Sequence, residues 1–132
     1  MSTFKNVEEA REYFKKDKFA TNNGVTLDEL EKDSSVCSME ITENHINAIG
    51  GVMGGAIFTV ADLAFSAVIN NIHLPSVAIQ TSVNFLSSVK GTKLIASAKC
   101  VKDGRTTTIC NVDVTDDTGR LIAQFSGTGF KL

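Results

Sequence analysis

The sequence is poor in the residue types that build metal sites, disulfide frameworks and rigid turns. Its 132 residues include two histidines, one proline, three cysteines and no tryptophan. Cys37, Cys100 and Cys110 are far apart, odd in number and without a CxxC pair, so neither a zinc site nor a disulfide scaffold is expected. We predict that these cysteines are small buried apolar residues of a protein in a reducing compartment.

Neither sign of charge dominates, and long apolar runs are lacking. The 13 Lys and Arg residues and the 15 Asp and Glu residues leave a formal net charge of −2. A dedicated nucleic-acid binder normally has a basic face, so nucleic acid is not an expected partner. The start of the chain lacks the apolar stretch of a signal peptide. The longest apolar stretch, 56–69, is short for a bilayer span and contains Asp62. We therefore expect a cytoplasmic, soluble protein with no membrane partner.

What the sequence does contain fits one globular domain over residues 1–132. Hydrophobic residues make up 42% and charged residues 21%, as in ordinary soluble domains. A chain of this length can bury enough apolar surface for a core of its own. Asn6 and Glu9 have the spacing of a helix-capping box, which predicts an N-terminal helix over about 6–18.

The remaining chain combines alternating strand patterns with one apolar helix. The predicted strands are 25–31, 35–42, 77–86, 93–102, 106–115 and 121–130. Asp103-Gly104 is a hairpin signal, and short turns between strands favour antiparallel pairing. The segment 54–71 is hydrophobic nearly all round, so as a helix it must be buried. We predict an α+β fold in which a curved, mainly antiparallel sheet wraps around one long central helix.

The central helix carries one polar stripe, formed by Gly55, Thr59, Asp62 and Ser66. These residues follow one another at steps of four, three and four and so share a helix face. An ionised carboxylate in apolar surroundings is costly unless it is paired or hydrogen-bonded. The stripe predicts a cleft or an interface, with Asp62 as a base or nucleophile. The alternative is a carboxylate that accepts hydrogen bonds from the backbone of a neighbouring strand.

Gly54-Gly55 opens the same helix. Free amides at a helix start carry partial positive charge and can stabilise an oxyanion; the alternative is a tight turn without a ligand. Val52 and Ala56 exclude the GxGxxG and P-loop patterns. Gly54 and Asp62 are eight residues apart, about 12 Å along the helix axis. An aspartate side chain cannot close that gap, so if both groups act on one carbonyl, one of them must come from a second subunit.

The segment from Asn47 to Asp62 resembles the signature of hotdog-fold acyl-CoA thioesterases of the phenylacetate-degradation type. That signature is an Asn, a Gly three residues later, His-Gly-Gly, and an Asp seven residues after the last glycine. In register with it stand Asn47, Gly50, Gly54, Gly55 and Asp62. His45 matches a His that is often found two residues before the Asn. The resemblance extends over about residues 24–130 and implies a hotdog fold.

The resemblance also implies an activity and a set of roles. The protein would be an acyl-CoA thioesterase that forms homodimers or homotetramers, and no cofactor or metal is predicted. The Gly54 amide would polarise the thioester carbonyl, Asp62 of the partner subunit would activate water or attack directly, and Asn47 would hold the water or the substrate. The residues predicted to bind substrate are Gly55, Met53, Thr59, Ser66 and Gln80.

Two departures from the signature keep other functions open. Met53 stands where the family has a His, and methionine cannot donate a hydrogen bond. Ala78 stands where the family often has Ser or Thr near the carboxylate, and we expect Gln80 on the same strand face to compensate. The alternatives are a non-catalytic hotdog module that binds an acyl thioester or a fatty acyl ligand, and a hotdog hydratase or dehydratase.

Coenzyme A is expected to meet basic side chains at the rim of the site. No P-loop exists in the sequence, whereas four basic residues lie near predicted strand ends. They are Lys90, Lys93, Lys102 and Arg105. The alternative is that these side chains are simply solvated.

Overall fold

The helices and strands follow the predicted order, with two extra short elements, a second N-terminal helix and a 3-10 turn at Glu43–His45. The computed structural model describes residues 2–132, and Met1 of the predicted domain lies outside the described residues. The helices are α1 (Val7–Phe14), α2 (Lys18–Asn22) and α3 (Gly54–Ile72). The strands are β1 (Val25–Leu30), β2 (Ser34–Glu40), β3 (Ser76–Phe85), β4 (Lys93–Asp103), β5 (Thr107–Asp116) and β6 (Leu121–Lys131).

The N-terminal helix is shorter than the predicted 6–18. Asn6 caps it as expected, because its side chain accepts a hydrogen bond of 2.9 Å from the Glu9 amide. The helix ends at Phe14, which is its last buried residue. The charged residues 15–17 that follow offer no apolar side chain to the core. Since helices in proteins are stabilised mainly by packing of an apolar face, the chain turns there and begins α2.

The six strands form one antiparallel sheet in the order β1-β2-β4-β5-β6-β3. The α1 helix covers the β1 edge, where the Arg11 guanidinium donates to the carbonyls of Leu27 (2.6 Å) and Asp28 (3.1 Å). Within residues 2–132, no strand pairs with the outer edge of β3. The sheet therefore has one protected edge and one open edge.

The central helix packs closely against the concave face of the sheet. Two glycines of β6 lie beneath it. A Cβ atom on Gly127 would come within 2.9 Å of Phe65, and one on Gly129 would come within 2.9 Å of Ile69. The fold is thus the predicted one, a curved sheet wrapped around one buried helix.

The α3 helix is longer than the apolar stretch 56–69. The sequence-based prediction that this region is too short to span a membrane considered only that stretch. It has 19 residues and a mean hydropathy of 1.5, which is long and apolar enough to cross a membrane by length and composition. However, 61% of that segment is buried inside the fold. A helix packed on most sides is apolar nearly all round for that reason alone.

All three cysteines are free thiols. Cys37 and Cys110 are buried as predicted, whereas Cys100 is half-buried and faces Cys110 across β4 and β5. Burial raises the pKa of the Cys37 thiol and raises that of Cys110 to about 12. Both thiols are therefore protonated at neutral pH.

Candidate active site

The loop before α3 is a small hairpin held by its own hydrogen bonds. The Asn47 amide donates to the Gly51 carbonyl at 2.8 Å, and the Met53 amide donates to the His45 carbonyl at 2.7 Å. Gly50 has a φ of 87°, a conformation that favours glycine. The hairpin delivers the chain to the start of α3 in a fixed orientation.

The first two amides of α3 have no acceptor. Met53 is the N-cap residue and offers no side-chain hydrogen bond. Its carbonyl accepts from the amides of Ala56 (3.0 Å) and Ile57 (3.2 Å). Among residues 2–132, the N–H groups of Gly54 and Gly55 donate to no acceptor. They lie at the positive end of the helix dipole and are free to bind a carbonyl oxygen on which negative charge develops.

Asn47 presents only donors to a ligand. Its Oδ1 atom accepts from the amides of Ile49 (3.1 Å) and Gly51 (3.0 Å). These bonds hold the loop and fix the side-chain amide, whose Nδ2 group retains two N–H donors. Asn47 can therefore donate to a water or a carbonyl oxygen, but its own oxygen is already used.

Asn47 and Gly54 line one cleft of about 510 Å³, and Asp62 does not line it. The opposite wall is formed by residues 85–89, at the end of β3 and in the loop that follows. The structure thus brings together two of the three predicted catalytic residues. The third is about 12 Å further along the same helix, at 1.5 Å per residue.

Asp62 is half-buried and has no partner. Burial raises the pKa of its carboxyl group, and the negative charge of Asp17 adds to the effect. In the part of the chain that the structure describes, neither a hydrogen bond nor an ion pair engages this carboxylate. The alternative interpretation, a carboxylate bonded to strand amides, is therefore not what the fold contains. Over residues 2–132, no group of three or more His, Cys, Asp or Glu side chains is arranged to hold a metal ion.

The rest of the polar stripe is partly occupied. The Thr59 hydroxyl donates to the Gly55 carbonyl at 2.7 Å, so its proton is not available to a substrate. The Met53 side chain lies over Gly55, where a Cβ atom would come within 3.2 Å of Met53 Cε. Met53, Gly55 and Thr59 line a second cavity of about 100 Å³ beside the helix start. Ser66 is one helical turn beyond Asp62 and remains a predicted binding residue.

His45 is a structural residue. Its Nδ1 atom accepts from the Thr42 amide at 3.0 Å, and its Nε2 group donates to the Asn23 carbonyl at 2.9 Å. The side chain is buried, and both ring nitrogens are used. His45 therefore does not replace the histidine that is missing at Met53.

A β-bulge in β3 separates Gln80 from Ala78. Ala78 pairs with Gly129 and Gln80 pairs with Thr128, so the extra residue Ile79 lies between them. Neighbouring residues of a strand point to opposite faces. Ala78 shares the helix-facing side with Gly129, and Gln80 points away from it. The prediction that Gln80 shares the face of Ala78 and compensates for it is wrong.

The same bulge places the hydroxyl of Thr81 on the helix-facing side of β3, a position that the sequence did not predict. Thr81 pairs with Gly127, and a Cβ atom on Gly127 would point at Phe65 of α3. Thr81 is therefore on the inner face of β3. Strict alternation from Pro75 assigns it to the outer face, and no local sequence signal marks the bulge.

The four basic residues predicted at the rim do not converge within one chain. Lys90 follows Val89 of the cleft wall in the loop after β3, and Lys93 is the first residue of β4. Lys102 and Arg105 lie at the β4–β5 hairpin, at the opposite end of β4. At about 3.3 Å per residue, the two pairs are roughly 30 Å apart. Of the four, only Lys90 directly adjoins a residue that lines the Asn47–Gly54 cleft.

The chain is similar in sequence to a family of thioesterases. Residues 49–123, more than half of the chain, match the thioesterase superfamily. Human acyl-coenzyme A thioesterase 13 is 31% identical over 104 residues, which cover 76% of this chain and 74% of that protein.

Two solved structures extend the comparison. The E. coli PaaI protein from the phenylacetic acid degradation operon superposes with a TM-score of 0.88 at 23% identity, covering 95% of this chain and 91% of that one. A hypothetical thioesterase from Streptococcus pneumoniae, solved with coenzyme A, has a TM-score of 0.81 at 26% identity and covers 89% of this chain and 94% of that one. The E. coli protein is similar to this chain in fold, and the streptococcal protein is similar to it in fold and, more weakly, in sequence. The chain therefore belongs to the thioesterase superfamily and is a thioester hydrolase with the hotdog fold.

Proposed function

We propose that the protein is an acyl-CoA thioesterase whose active site is shared between two subunits. The observation that carries the proposal is the single helix that holds both Gly54, with its free amide, and Asp62, with its unpartnered carboxylate, about 12 Å apart. The amide is free to donate to a carbonyl oxygen, and the carboxylate is free to act as a base. One chain, however, cannot bring the two groups to the same carbonyl. The coenzyme A ester as substrate is supported by the human relative and by the streptococcal structure with coenzyme A.

The open edge of the sheet supports a homodimer. The ten-residue strand β3 has no neighbour on one side within residues 2–132. Its apolar side chains Val77, Ile79 and Phe85 are 43%, 58% and 56% exposed. Long apolar edge strands normally pair with another chain. Two-fold pairing of β3 strands would join the sheets and set the polar stripe of each α3 against the partner subunit, which gives two equivalent sites.

The proposed mechanism assigns one task to each group. The thioester carbonyl oxygen accepts from the Gly54 amide, and the Nδ2 group of Asn47 donates to the attacking water or to the substrate. Asp62 of the partner subunit takes a proton from water, whose oxygen attacks the carbonyl carbon. The tetrahedral intermediate then expels the coenzyme A thiolate, which takes back the proton held by Asp62, so that the free acid and the thiol leave and the carboxylate is restored. A carboxylate whose pKa is raised by burial is better matched to such a base than an ordinary aspartate.

Thiol release from a panel of acyl- and aryl-CoA esters tests the activity. The wild-type protein is expected to hydrolyse some members, and Asp62→Asn is expected to lower kcat by about 10²-fold or more, as for loss of a general base. Asp113→Asn is the matched control, because this aspartate is exposed on β5. Binding of the esters without thiol release would favour the non-catalytic module, and full activity of a folded Asp62→Asn variant would rule out the assigned role.

A further inference from the structure

The acidic residues with the most hydrogen bonds have no role in the proposed mechanism. They are the last residue of β5 and the first residue of the turn that leads to β6. The Asp116 carboxylate is buried and accepts from the amides of Lys90 (2.8 Å), Gly91 (3.0 Å), Thr118 (3.0 Å) and Arg120 (3.2 Å). It also accepts from the Thr118 hydroxyl. Three of these five donors belong to Thr118 and Arg120 of the turn, but the amides of Lys90 and Gly91 belong to the distant loop after β3.

Asp117 continues the contact along the same loop. Its carboxylate accepts from the Thr92 amide (2.8 Å), the Thr92 hydroxyl (3.1 Å) and the Lys93 amide (3.3 Å). The approach is so close that a Cβ atom on Gly91 would collide with the Asp117 carboxylate. Four consecutive residues, 90–93, are thus attached to two side chains of a neighbouring turn.

This loop forms one wall of the candidate active site. Residues 85–89 line the cleft across from Asn47 and Gly54. At its beginning the loop is attached to β6, because the amides of Leu86 (2.8 Å) and Ser87 (3.2 Å) donate to the Ile122 carbonyl. At its end it is attached to the two aspartates. The loop that carries the wall is therefore attached to the sheet at one end and to the two carboxylates at the other.

The chemistry of the two aspartates suits anchoring and not catalysis or metal binding. Hydrogen bonds, led by that of the Thr118 hydroxyl, hold the pKa of Asp116 well below its usual range, and those of the Thr92 amide and hydroxyl lower the pKa of Asp117. Both groups stay ionised at neutral pH, so they transfer no proton there. Their oxygens already face N–H and O–H donors.

We propose that Asp116 and Asp117 are positioning residues of the thioester site. They hold the 86–92 loop, and with it the 85–89 wall, against the start of α3 and so determine how well the substrate binds. The inference rests on the proposed thioesterase function. Neither aspartate lines the cleft, so the effect reaches the substrate only through the wall. The hydrogen bonds of Asp116 and Asp117 reach neither Gly54 nor Asp62, so we expect the chemical step itself to be preserved.

The test compares Asp116→Asn and Asp117→Asn with Asp113→Asn. Asparagine keeps the size but replaces one acceptor oxygen with an NH₂ group, so the donors on one side of each side chain lose their acceptor. For a coenzyme A ester that the wild type hydrolyses, we expect KM to rise about 5-fold or more and kcat to change less than about 2-fold. We also expect the amides of residues 86–93 to exchange with deuterium about 10-fold faster or more, with α3 unchanged. The Asp113→Asn control should change neither.

The outcomes separate this inference from the proposed function. If the wild type hydrolyses coenzyme A esters and both folded variants keep its KM, the positioning role is overturned and the thioesterase function stands. Unchanged exchange of residues 86–93, or a loss confined to kcat, also overturns it. If the wild type hydrolyses none of the esters, titration with coenzyme A replaces KM, and equal affinity of wild type and variants refutes the anchoring role. Asp117→Asn loses fewer hydrogen bonds and keeps the test decisive when Asp116→Asn does not fold.

Discussion

Two carboxylates of this fold, Asp62 and Asp116, have opposite environments. Asp116 is buried at the end of β5 and accepts hydrogen bonds on both oxygens, and its pKa is lowered. Asp62 is half-buried on α3 with no hydrogen-bond partner among residues 2–132, and burial raises its pKa. The fold therefore stabilises the negative charge of Asp116 and destabilises that of Asp62.

The difference indicates what each group is for. A carboxylate whose lone pairs are all used is fixed in place and holds structure together. A carboxylate that the fold leaves unsatisfied is costly, and such groups concentrate at functional sites. Asp116 accordingly belongs to the scaffold around the cleft, whereas Asp62 is the candidate for chemistry. The predictions that follow test this contrast.

The largest effect is expected from mixing two inactive variants. Asp62→Asn removes the base, and Gly54→Pro removes the amide at the first position of α3, where proline is well tolerated. Met53, with φ −62° and ψ 134°, has the conformation that a residue before proline prefers. After subunit exchange, half of the dimers should hold one intact site of two, so activity should recover to about a quarter of wild type.

The mixing experiment needs a folding control at Gly54. A Cβ atom there would come within 3.1 Å of the Phe85 ring, so the proline variant must be shown to fold and to exchange subunits. Absence of recovery in spite of demonstrated exchange would contradict a shared site. Activity of either variant alone would contradict the role of its group.

A smaller loss is expected from Asn47→Asp. The aspartate keeps an acceptor for the amides of Ile49 and Gly51 but removes both N–H donors. We expect kcat to fall about 10²-fold, as for loss of a donor in an oxyanion hole, while the melting temperature stays near that of wild type. Asn47→Ala should lose both activity and loop stability. If Asn47 serves only its own loop, Asn47→Asp will remain fully active.

Stability should respond to the two carboxylates with opposite signs. Because the folded protein raises the pKa of Asp62, its ionisation opposes folding, so Asp62→Asn should raise the melting temperature by a few degrees at pH 7. Asp116→Asn should lower it by about 5 °C or more, because it removes acceptors from a buried network. Thermal melts of both variants at one protein concentration measure the contrast. Equal shifts in the same direction would refute it.

The pH dependence should also differ in sign. The stabilisation from Asp116 is complete above its unfolded pKa, near 4, and is lost as the pH falls toward its lowered folded pKa. For Asp62, whose folded pKa is raised, acidification through that pKa removes the cost of the charge. Activity should nevertheless be lost there, with the acid limb of kcat/KM above about pH 4. An acid limb that survives unchanged in Asp62→Asn would assign it to another group.

The smallest effect concerns the thiols. Burial raises the pKa values of Cys37 and Cys110, so these residues should react slowly with an aromatic disulfide reagent at pH 8. We expect fewer than one fast-reacting thiol per folded chain, and we expect all three thiols to react after denaturation. This leaves a low background for the thiol-release assay. Rapid reaction of two or more thiols would show that the core opens.

The sequence by itself determined the central helix, the strands and the loop that precedes α3. Hydrophobic periodicity is a local property, and the pattern from Asn47 to Asp62 lies on one continuous loop and helix, so spacing alone also placed Gly54 and Asp62 too far apart for one chain. The N-terminal helix was predicted too long because its end depends on what Phe14 packs against.

Only the tertiary structure decided which side chains meet. After the bulge at Ile79, the residues of β3 point to the faces opposite to those that strict alternation predicts, so Thr81 points inward in place of Gln80. No local sequence pattern in β3 indicates the bulge. The separation of Lys93 from Lys102 follows from strand length and hairpin position. The partners of Asp116 are about 25 residues away in the chain. Such long-range contacts depend on the register and curvature of the whole sheet, whereas periodicity reports only the neighbours of each residue along the chain.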